Sequence, residues 1–306
     1  MTEPAPSPEG PAPSTGGSST GGSSTGGLPA TSVLRGTSGP PRAPSRAQRL
    51  WAVVMRHWVV YSSTFLANAL PAFFEPILFL TAIGLGLGNY VEAGMGGLPL
   101  GAYMGPGALA MTAMFTAAFE TTFGTFVRLV YQKTYDGMLA TPLTPVDVFL
   151  GEALFCALKG FLFSAIVLCV YLAFGYARGW LTHISGPQIL AIPLVGAWCS
   201  FLFAGLGFHV VSLTKNMNNF NFFVSGVLTP MSLFSGMMFP VSDLPPVLEQ
   251  VAYALPLFHV TELNRYLLFG YDACVPWVAV CPIYLVLVAS LIVWNGVRVM
   301  RNRVLQ

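Results

Sequence analysis

The strongest constraint on this chain is a series of six apolar stretches, each near the roughly 20 residues that a helix needs to cross a bilayer. Only helices and closed barrels cross bilayers, because every backbone polar group there must find a partner within the protein. Hydrophobic residues make up 54% and charged residues 8% of the 306, against about a quarter charged in soluble domains. The sequence therefore predicts an all-α integral membrane protein. Its predicted spans are residues 62–87, 106–127, 150–174, 188–213, 219–240 and 277–297.

Two further regions precede the first predicted span. Residues 1–45 are rich in Gly, Ser, Thr and Pro, a composition that buries too little surface to offset chain entropy. We expect a disordered tail there and a transmembrane domain at residues 46–306. Residues 46–61 are predicted to form an amphipathic helix in the membrane interface, with a cationic lead-in to the first span as the alternative. The apolar face of this helix holds Leu50, Trp51, Val54, Trp58 and Tyr61.

The Lys and Arg residues outside the spans are distributed unequally, and cytoplasmic connections normally carry the excess of cations. One side of the membrane is predicted to hold only Arg178 and Arg265. An even number of spans places both termini on the other side, which is therefore cytoplasmic. The cations on that side are Arg35, Arg42, Arg46, Arg49, Arg56, Arg128, Lys133, Lys215, Arg298, Arg301 and Arg303.

The fifth span ends in an irregular segment, Leu228–Pro240, with the sequence LTPMSLFSGMMFP. Two prolines, a glycine, two serines and a threonine interrupt its apolar character. Irregular backbone is tolerated at membrane depth only where protein or a water-filled cavity satisfies the freed polar groups. The segment therefore predicts a moving or substrate-facing part. Residues 241–276 follow on the outer side, where several prolines and a Glu262 and Arg265 pair on one helix face predict short non-spanning helices.

The connection between the second and third spans, Arg128–Asp147, mixes charged residues with apolar Met138, Leu139 and Leu143. Exposed apolar residues with a charged rim often mark a contact with another protein. A short helix lying on the bilayer surface explains the same pattern, and both interpretations stay open on physical grounds.

The sequence predicts no catalytic, cofactor or metal site. A phosphate-binding P-loop requires lysine directly after glycine, and none of the lysines stands in that position. Ionisable residues in the spans cost about 2.5–3.5 kcal/mol each at the bilayer centre, so they must face protein or water. They can serve as hydrogen-bonded structural groups, as a polar lining of a transport path or as a proton relay. These residues are Glu75, Glu120, Glu152, Lys159 and His209.

Four longer motifs occur in order along the chain. They are GPGALAMTAMFTAAFETTFGTFVR at Gly105–Arg128, QKTYDGMLATPLTPVDVFLGE at Gln132–Glu152, LTPMSLFSGMMFPVSDLPP at Leu228–Pro246 and PLFHVTELNR at Pro256–Arg265. Together they closely resemble the type-two permeases of ABC transporters, especially the nodulation-factor exporter and daunorubicin-resistance permeases. The resemblance covers residues 46–303.

This resemblance implies a permease in the bacterial plasma membrane, with six spans, that pairs with a second copy and with two separate ATPase subunits. The chain itself would then be no enzyme. The Arg128–Asp147 connection would couple the permease to the ATPase through Lys133, Tyr135, Met138, Leu139, Thr141 and Pro142.

The resemblance also implies residues of the transport path or its gate. In the family these are acidic positions in two of the spans, the broken fifth span and the outer segment. They correspond here to Glu75, Glu120, Pro230, Ser235, Gly236, Pro240 and His259.

Two functions from different classes follow. The first is the permease subunit of an ATP-driven exporter for an amphipathic cargo such as a lipo-oligosaccharide, a glycolipid or a polyketide-type drug. The alternative is an ion-coupled secondary transporter that uses Glu75, Glu120 and Lys159 as a relay. Apart from the GGSST unit in the tail, the sequence shows no internal duplication, and this counts against the alternative because many secondary transporters are built from internal repeats.

Overall fold

The computed structural model describes residues 44–65, 97–184, 186–270 and 274–305, together with positions 74, 78, 79, 81, 82 and 86. The predicted tail up to residue 43 and most of the first predicted span, including Glu75, lie outside the described residues. Within the described residues the regular structure is helical. The prediction of an all-α protein is therefore confirmed for this part of the chain.

The described helices are labelled in chain order. The second begins as an α-helix at Leu100–Phe119 and continues through π-helical turns at Glu120–Gly124 and Val127–Tyr131. The helices are α1 (Arg46–Ser63), α2 (residues 100–131), α3 (Thr134–Leu139), α4 (Pro145–Arg178), α5 (Ile192–Leu213), α6 (Met217–Met237), α7 (Pro246–Ala254), α8 (Pro256–Phe269) and α9 (Cys281–Val304).

Four of the described helices are long and apolar enough to cross a membrane: Pro145–Arg178, Pro187–Leu213, Met217–Met237 and Val278–Val304. They contain or closely match the third to sixth predicted spans. The fifth ends at Met237 rather than at residue 240, because Gly236 adopts left-handed backbone with φ 75°. The first span and the crossing of the membrane by α2 remain predictions.

The first helix is anchored against α4. A capping box begins α1, in which Gln48 N donates to Ser45 Oγ at 3.3 Å and Ser45 N donates to Gln48 Oε1 at 2.9 Å. Arg49 Nε then lies 3.2 Å from Asp147 Oδ2 at the start of α4. Trp51, predicted on the apolar face, does not pack on protein and is 64% exposed. The side that packs on protein holds Val53, Val54, His57 and Tyr61, and the position of α1 in the membrane interface remains a prediction.

Small residues allow α4, α5 and α9 to approach closely, as is common in membrane helix bundles. A Cβ placed on Gly160 would lie 2.0 Å from Ser200 Oγ and 2.9 Å from the Gly196 carbonyl. On the other side of α5, a Cβ on Gly205 would lie 2.8 Å from the Val293 backbone. These three helices form a tightly packed centre around which the other helices lie.

The contact at Gly160 leads to a prediction about stability. Gly160→Ala should lower the free energy of unfolding by about 1–3 kcal/mol, because the added methyl group overpacks a filled interface. The measurement is thermal unfolding of the purified protein in detergent. Gly226→Ala is the matched control, since nothing lies within 4 Å of a Cβ at that helical position. Equal melting temperatures for the two variants would contradict the close approach of α4 and α5.

Candidate coupling and gate sites

A buried network of charged side chains joins α2 to α4. Glu152 is fully buried, and it accepts hydrogen bonds from Arg128 Nη2 and from Thr125 Oγ1, each at 2.5 Å. Arg128 Nη1 also donates to Glu120 Oε1 at 2.9 Å, and Lys159 Nζ donates to Glu120 Oε2 at 2.9 Å. Two carboxylates and two cations thus balance each other in charge, which is how ionised groups are accommodated inside membrane proteins.

The backbone of α2 brings Glu120 and Arg128 together, although eight residues separate them in the sequence. Each lies in a π-helical turn, in which hydrogen bonds run from residue i to i+5 rather than i+4. The wider turns rotate the two side chains toward the same side of the helix. Insertions of this kind are frequent at functional sites.

Tyr135 extends the network to α3, in the connection that follows α2. Its Oη donates to Glu152 Oε2 at 2.6 Å, and the side chain is 1% exposed. Burial, and then the adjacent Glu152 carboxylate, raise the pKa of Tyr135 well above its usual range, so the hydroxyl stays protonated and donates. An unbroken series of side-chain contacts therefore runs from α3 through α4 to α2.

The structure corrects one part of the expectation for the connection. Met138 is only 6% exposed and belongs to the main hydrophobic core, while Leu139 and Leu143 are half-buried against that core. These residues were expected to be exposed for a protein contact, but they hold the connection onto the helix bundle. The outward-facing residues are Lys133, Asp136, Gly137, Ala140, Thr141 and Pro142.

A groove of about 620 Å³ separates the connection from α1. Gln48, Ala52 and Val53 contribute to its lining from α1, and Gly137 and Met138 contribute from α3. Further lining residues include the cations Arg49, Arg56 and Lys133, so a partly apolar depression is bordered by positive charge. A partner element of the appropriate shape could enter between the two helices.

A second polar cluster satisfies the irregular end of α6. Arg265 Nη2 donates to the Gly236 carbonyl at 2.7 Å, and its guanidinium lies 4.4 Å from the centre of the Tyr103 ring. Arg265 is also paired with Glu262 on the same face of α8, as the sequence spacing predicted. Glu262 Oε2 in turn accepts from Val275 N at 2.9 Å. The Gly236 carbonyl, which the break in α6 leaves without a helical partner, therefore accepts its hydrogen bond from the Arg265 side chain.

The remaining gate candidates have structural partners around this break. Ser235 is buried and its Oγ donates to the Ser232 carbonyl at 2.8 Å. His259 stacks on Tyr284 with ring centroids 3.9 Å apart, and its Nε2 lies 2.9 Å from the Tyr253 carbonyl. Pro230 and Pro240 are half-buried within and just after α6.

The predicted path residues therefore fall into two groups. Glu120 belongs to the network with Arg128 and Lys159, whereas Ser235 and Gly236 lie at the broken end of α6. Arg128 and Arg265 supply the central guanidinium of the two groups. Sequence reasoning assigned Arg128 no carboxylate partner, and it paired Arg265 with Glu262 without linking either residue to the broken end of α6. The signal available in the sequence was the short separation between each arginine and a carboxylate, Glu120 for Arg128 and Glu262 for Arg265. A carboxylate at membrane depth cannot be left unpaired.

Comparisons with known proteins agree with this architecture. Residues 48–269 match the model of the ABC-2 type transporter family. The chain belongs to this family, whose members are membrane permeases that are not themselves catalytic and normally work with an ABC ATPase. It is an integral membrane protein, and the resemblance seen in its motifs is confirmed.

Among the curated relatives, nodulation protein J of Rhizobium leguminosarum bv. trifolii is 35% identical over 239 residues, or 77% of this chain and 88% of the relative. Nodulation protein J of Bradyrhizobium diazoefficiens is 34% identical, over 72% of this chain and 82% of the relative. A more distant relative is the inner membrane transport permease YadH of Escherichia coli, 21% identical over 80% of this chain and 94% of the relative.

The buried ion pair can be tested by a double-mutant cycle. Arg128→Leu alone should lower the free energy of unfolding by about 3–5 kcal/mol, because it leaves the buried Glu152 carboxylate without its cation. The double variant Arg128→Leu, Glu152→Leu should lose clearly less than the sum of the two single losses. Unfolding in detergent is the measurement, and additive effects would contradict direct pairing.

The role of Arg265 at the broken span gives a separate prediction. Arg265→Gln should lower the melting temperature, because the uncharged amide leaves the buried Glu262 carboxylate without its counter-ion. Arg178→Gln, at the exposed end of α4, removes the same charge and serves as the comparison. A melting temperature that falls equally in both variants would show that Arg265 does not support the break.

Proposed function

We propose that this chain is the membrane permease subunit of an ATP-driven exporter in the bacterial plasma membrane. Two copies of the chain combine with two ATPase subunits, and both termini of each copy lie in the cytoplasm. Family membership supports the class of transporter. The cations near the end of α9, Arg298, Arg301 and Arg303, support the orientation because cytoplasmic ends of spans carry the excess of positive charge.

The observation that carries this proposal is the series of contacts from the connection into the helix bundle. Tyr135 on α3 bonds to Glu152 on α4, and Glu152 bonds to Arg128 on α2. A displacement of α3 by the ATPase therefore acts directly on two neighbouring helices. ATP binding can change the permease only if the contacts between ATPase and permease differ between the two conformations.

The outward face of the connection is the proposed contact for the ATPase. Lys133, Asp136, Gly137 and Ala140 present little side-chain bulk apart from two charges of opposite sign, and Thr141 and Pro142 follow them at the surface. The buried Tyr135 and Met138 and the half-buried Leu139 act from the other side by holding the connection on the bundle. The proposed coupling residues thus divide into a docking face and an anchoring face.

The cargo path is proposed to lie between the two copies, beside α6. The side chains of Asn218, Asn221, Ser225 and Thr229 are exposed at intervals of three or four residues, which places them on one helix face. Polar side chains on a spanning helix normally face protein or water rather than lipid. At the end of α6, the broken backbone at Gly236 and its support by Arg265 provide the proposed gate.

The proposed cargo is amphipathic and belongs to the lipo-oligosaccharide, glycolipid or polyketide class. Several relatives carry the name nodulation protein J, and the motifs resemble exporters of lipo-oligosaccharide signals. Amide and hydroxyl groups along α6 suit the polar part of such a cargo, because they can both donate and accept hydrogen bonds.

Substitution on the docking face should separate coupling from folding. Ala140→Glu places a charge on the exposed surface of the connection and should reduce ATP-dependent export at least tenfold, because it disturbs a desolvated contact with the ATPase. Membrane insertion and the melting temperature should stay unchanged. Export is measured in inside-out vesicles containing the permease and its ATPase.

The matched control is Ala177→Glu, which introduces the same charge at an exposed position near the opposite end of α4. Export by Ala177→Glu should equal that of the unaltered protein. Met138→Asp should behave differently from both, because its charge enters the core and unfolds the connection. Export that continues without ATP and collapses on addition of an uncoupler would overturn the proposal in favour of an ion-coupled transporter.

A further inference from the structure

A crevice at the end of the bundle beside α1 and α9 is separate from the coupling and gate sites. Its volume is about 170 Å³, and it lies between the start of α4, the middle of α5 and the middle of α9. It is reached from the side of α9 on which Ser290 and Trp294 are exposed. Its apolar lining consists of Val146, Leu150, Phe201, Val293, Trp294 and Val297.

One arginine lines the crevice, and a second lies beside it over the ring of a lining tryptophan. Arg46 contributes to the lining with a side chain that is 60% exposed, and its Nε reaches Asp147 Oδ1 only at 3.7 Å. Arg298 lies over the ring of Trp294, with the guanidinium carbon 5.0 Å from the ring centre. The nearest carboxylate, Asp147, is buried and already engaged by Arg49 and the Thr144 hydroxyl. The mouth of the crevice therefore carries positive charge that the described residues do not balance.

Apolar depth, a tryptophan at the rim and unbalanced arginines are the features that an anionic phospholipid would match. Tryptophan is enriched where spanning helices meet the headgroup layer. Basic pockets between spanning helices recognise anionic headgroups, with a contribution of about 1 kcal/mol per cation near the surface. A soluble protein segment would gain little here, because α9 is long and apolar enough to cross a membrane and exposes Leu287 and Leu291 next to the crevice.

We propose that this crevice is a binding site for one anionic phospholipid, with an acyl chain against α4, α5 and α9 and the phosphate between Arg46 and Arg298. Because Arg46 belongs to α1 while Val146 and Leu150 belong to α4, the lipid joins the first helix to the bundle at headgroup depth. The site requires neither an ATPase nor a cargo, so its test is independent of the proposed export function.

The test uses the full-length chain purified in a mild detergent and titrated with phosphatidylglycerol or phosphatidylcholine, with bound lipid counted by native mass spectrometry. One phosphatidylglycerol should bind at least tenfold more tightly than phosphatidylcholine. Arg46→Gln and Arg298→Gln should each weaken its binding by roughly fivefold, the equivalent of about 1 kcal/mol. Arg301→Gln, which removes the same charge one turn beyond Arg298, should change binding less than twofold.

A second pair of variants tests the acyl-chain part of the site with all cations in place. Ser290→Trp should fill the crevice from its exposed side and abolish the tight phosphatidylglycerol site, and Ser290→Leu should weaken it. Melting temperatures in phosphatidylcholine show that each variant is folded. Soluble glycerol phosphate, which has the headgroup chemistry without the chains, should not compete.

Three outcomes would overturn the lipid site. Equal affinity for phosphatidylglycerol and phosphatidylcholine would show that the arginines do not recognise the negative charge of the lipid. Full competition by glycerol phosphate would reduce the crevice to a site for a free anion. A change in oligomeric state in Ser290→Trp, with lipid binding intact, would instead assign the crevice to a contact between protein chains.

Discussion

The fold depends on one constraint: polar and charged groups at membrane depth must find their partners within the protein. Two guanidinium groups meet much of this requirement among the described residues. Arg128 satisfies the carboxylates of Glu120 and Glu152 between α2 and α4, and Arg265 satisfies Glu262 and the free carbonyl at Gly236. Each arginine therefore fixes a departure from regular helix geometry, namely the π-helical turns of α2 and the left-handed end of α6.

The π-helical turns of α2 and the left-handed end of α6 lie at the proposed coupling and gate sites, respectively. The π-helical turns bring the network of α2 and α4 within reach of Tyr135 on the connection, and the break in α6 provides a segment whose geometry differs from that of its neighbours. The close-packed group of α4, α5 and α9 adjoins the network through Glu152, while α2 also packs against Met237 at the break, where a Cβ on Gly107 would lie 2.5 Å from the Met237 side chain. Packed interiors respond to a local push by moving as units rather than by deforming continuously, so a rigid centre with irregular elements on its borders is suited to transmit a conformational change.

Much of the architecture could be predicted from the sequence, because apolar length and the shortage of charge leave few alternatives. The third to sixth spans follow from apolar length, the short helices around Pro246 and Pro256 from the prolines, and the pairing of Glu262 with Arg265 from helical spacing. The burial of Met138 could not be predicted, since a short apolar pattern does not reveal which face of a connection packs on the bundle. The pairing of Glu120 with Arg128 also escaped prediction, because a regular α-helix separates residues eight apart by about 12 Å along its axis, and the sequence did not predict the π-helical turns in which the two residues lie.

Three hydrogen bonds converge on the buried carboxylate of Glu152 and hold it in place. Thr125 and Arg128 of α2 and Tyr135 of the connection donate to its two oxygens at 2.5–2.6 Å, so a movement of Tyr135 away from the bundle either carries α4 with it or breaks a buried hydrogen bond. If the connection is the proposed contact for the ATPase, a force on it reaches both α2 and α4 through this one carboxylate.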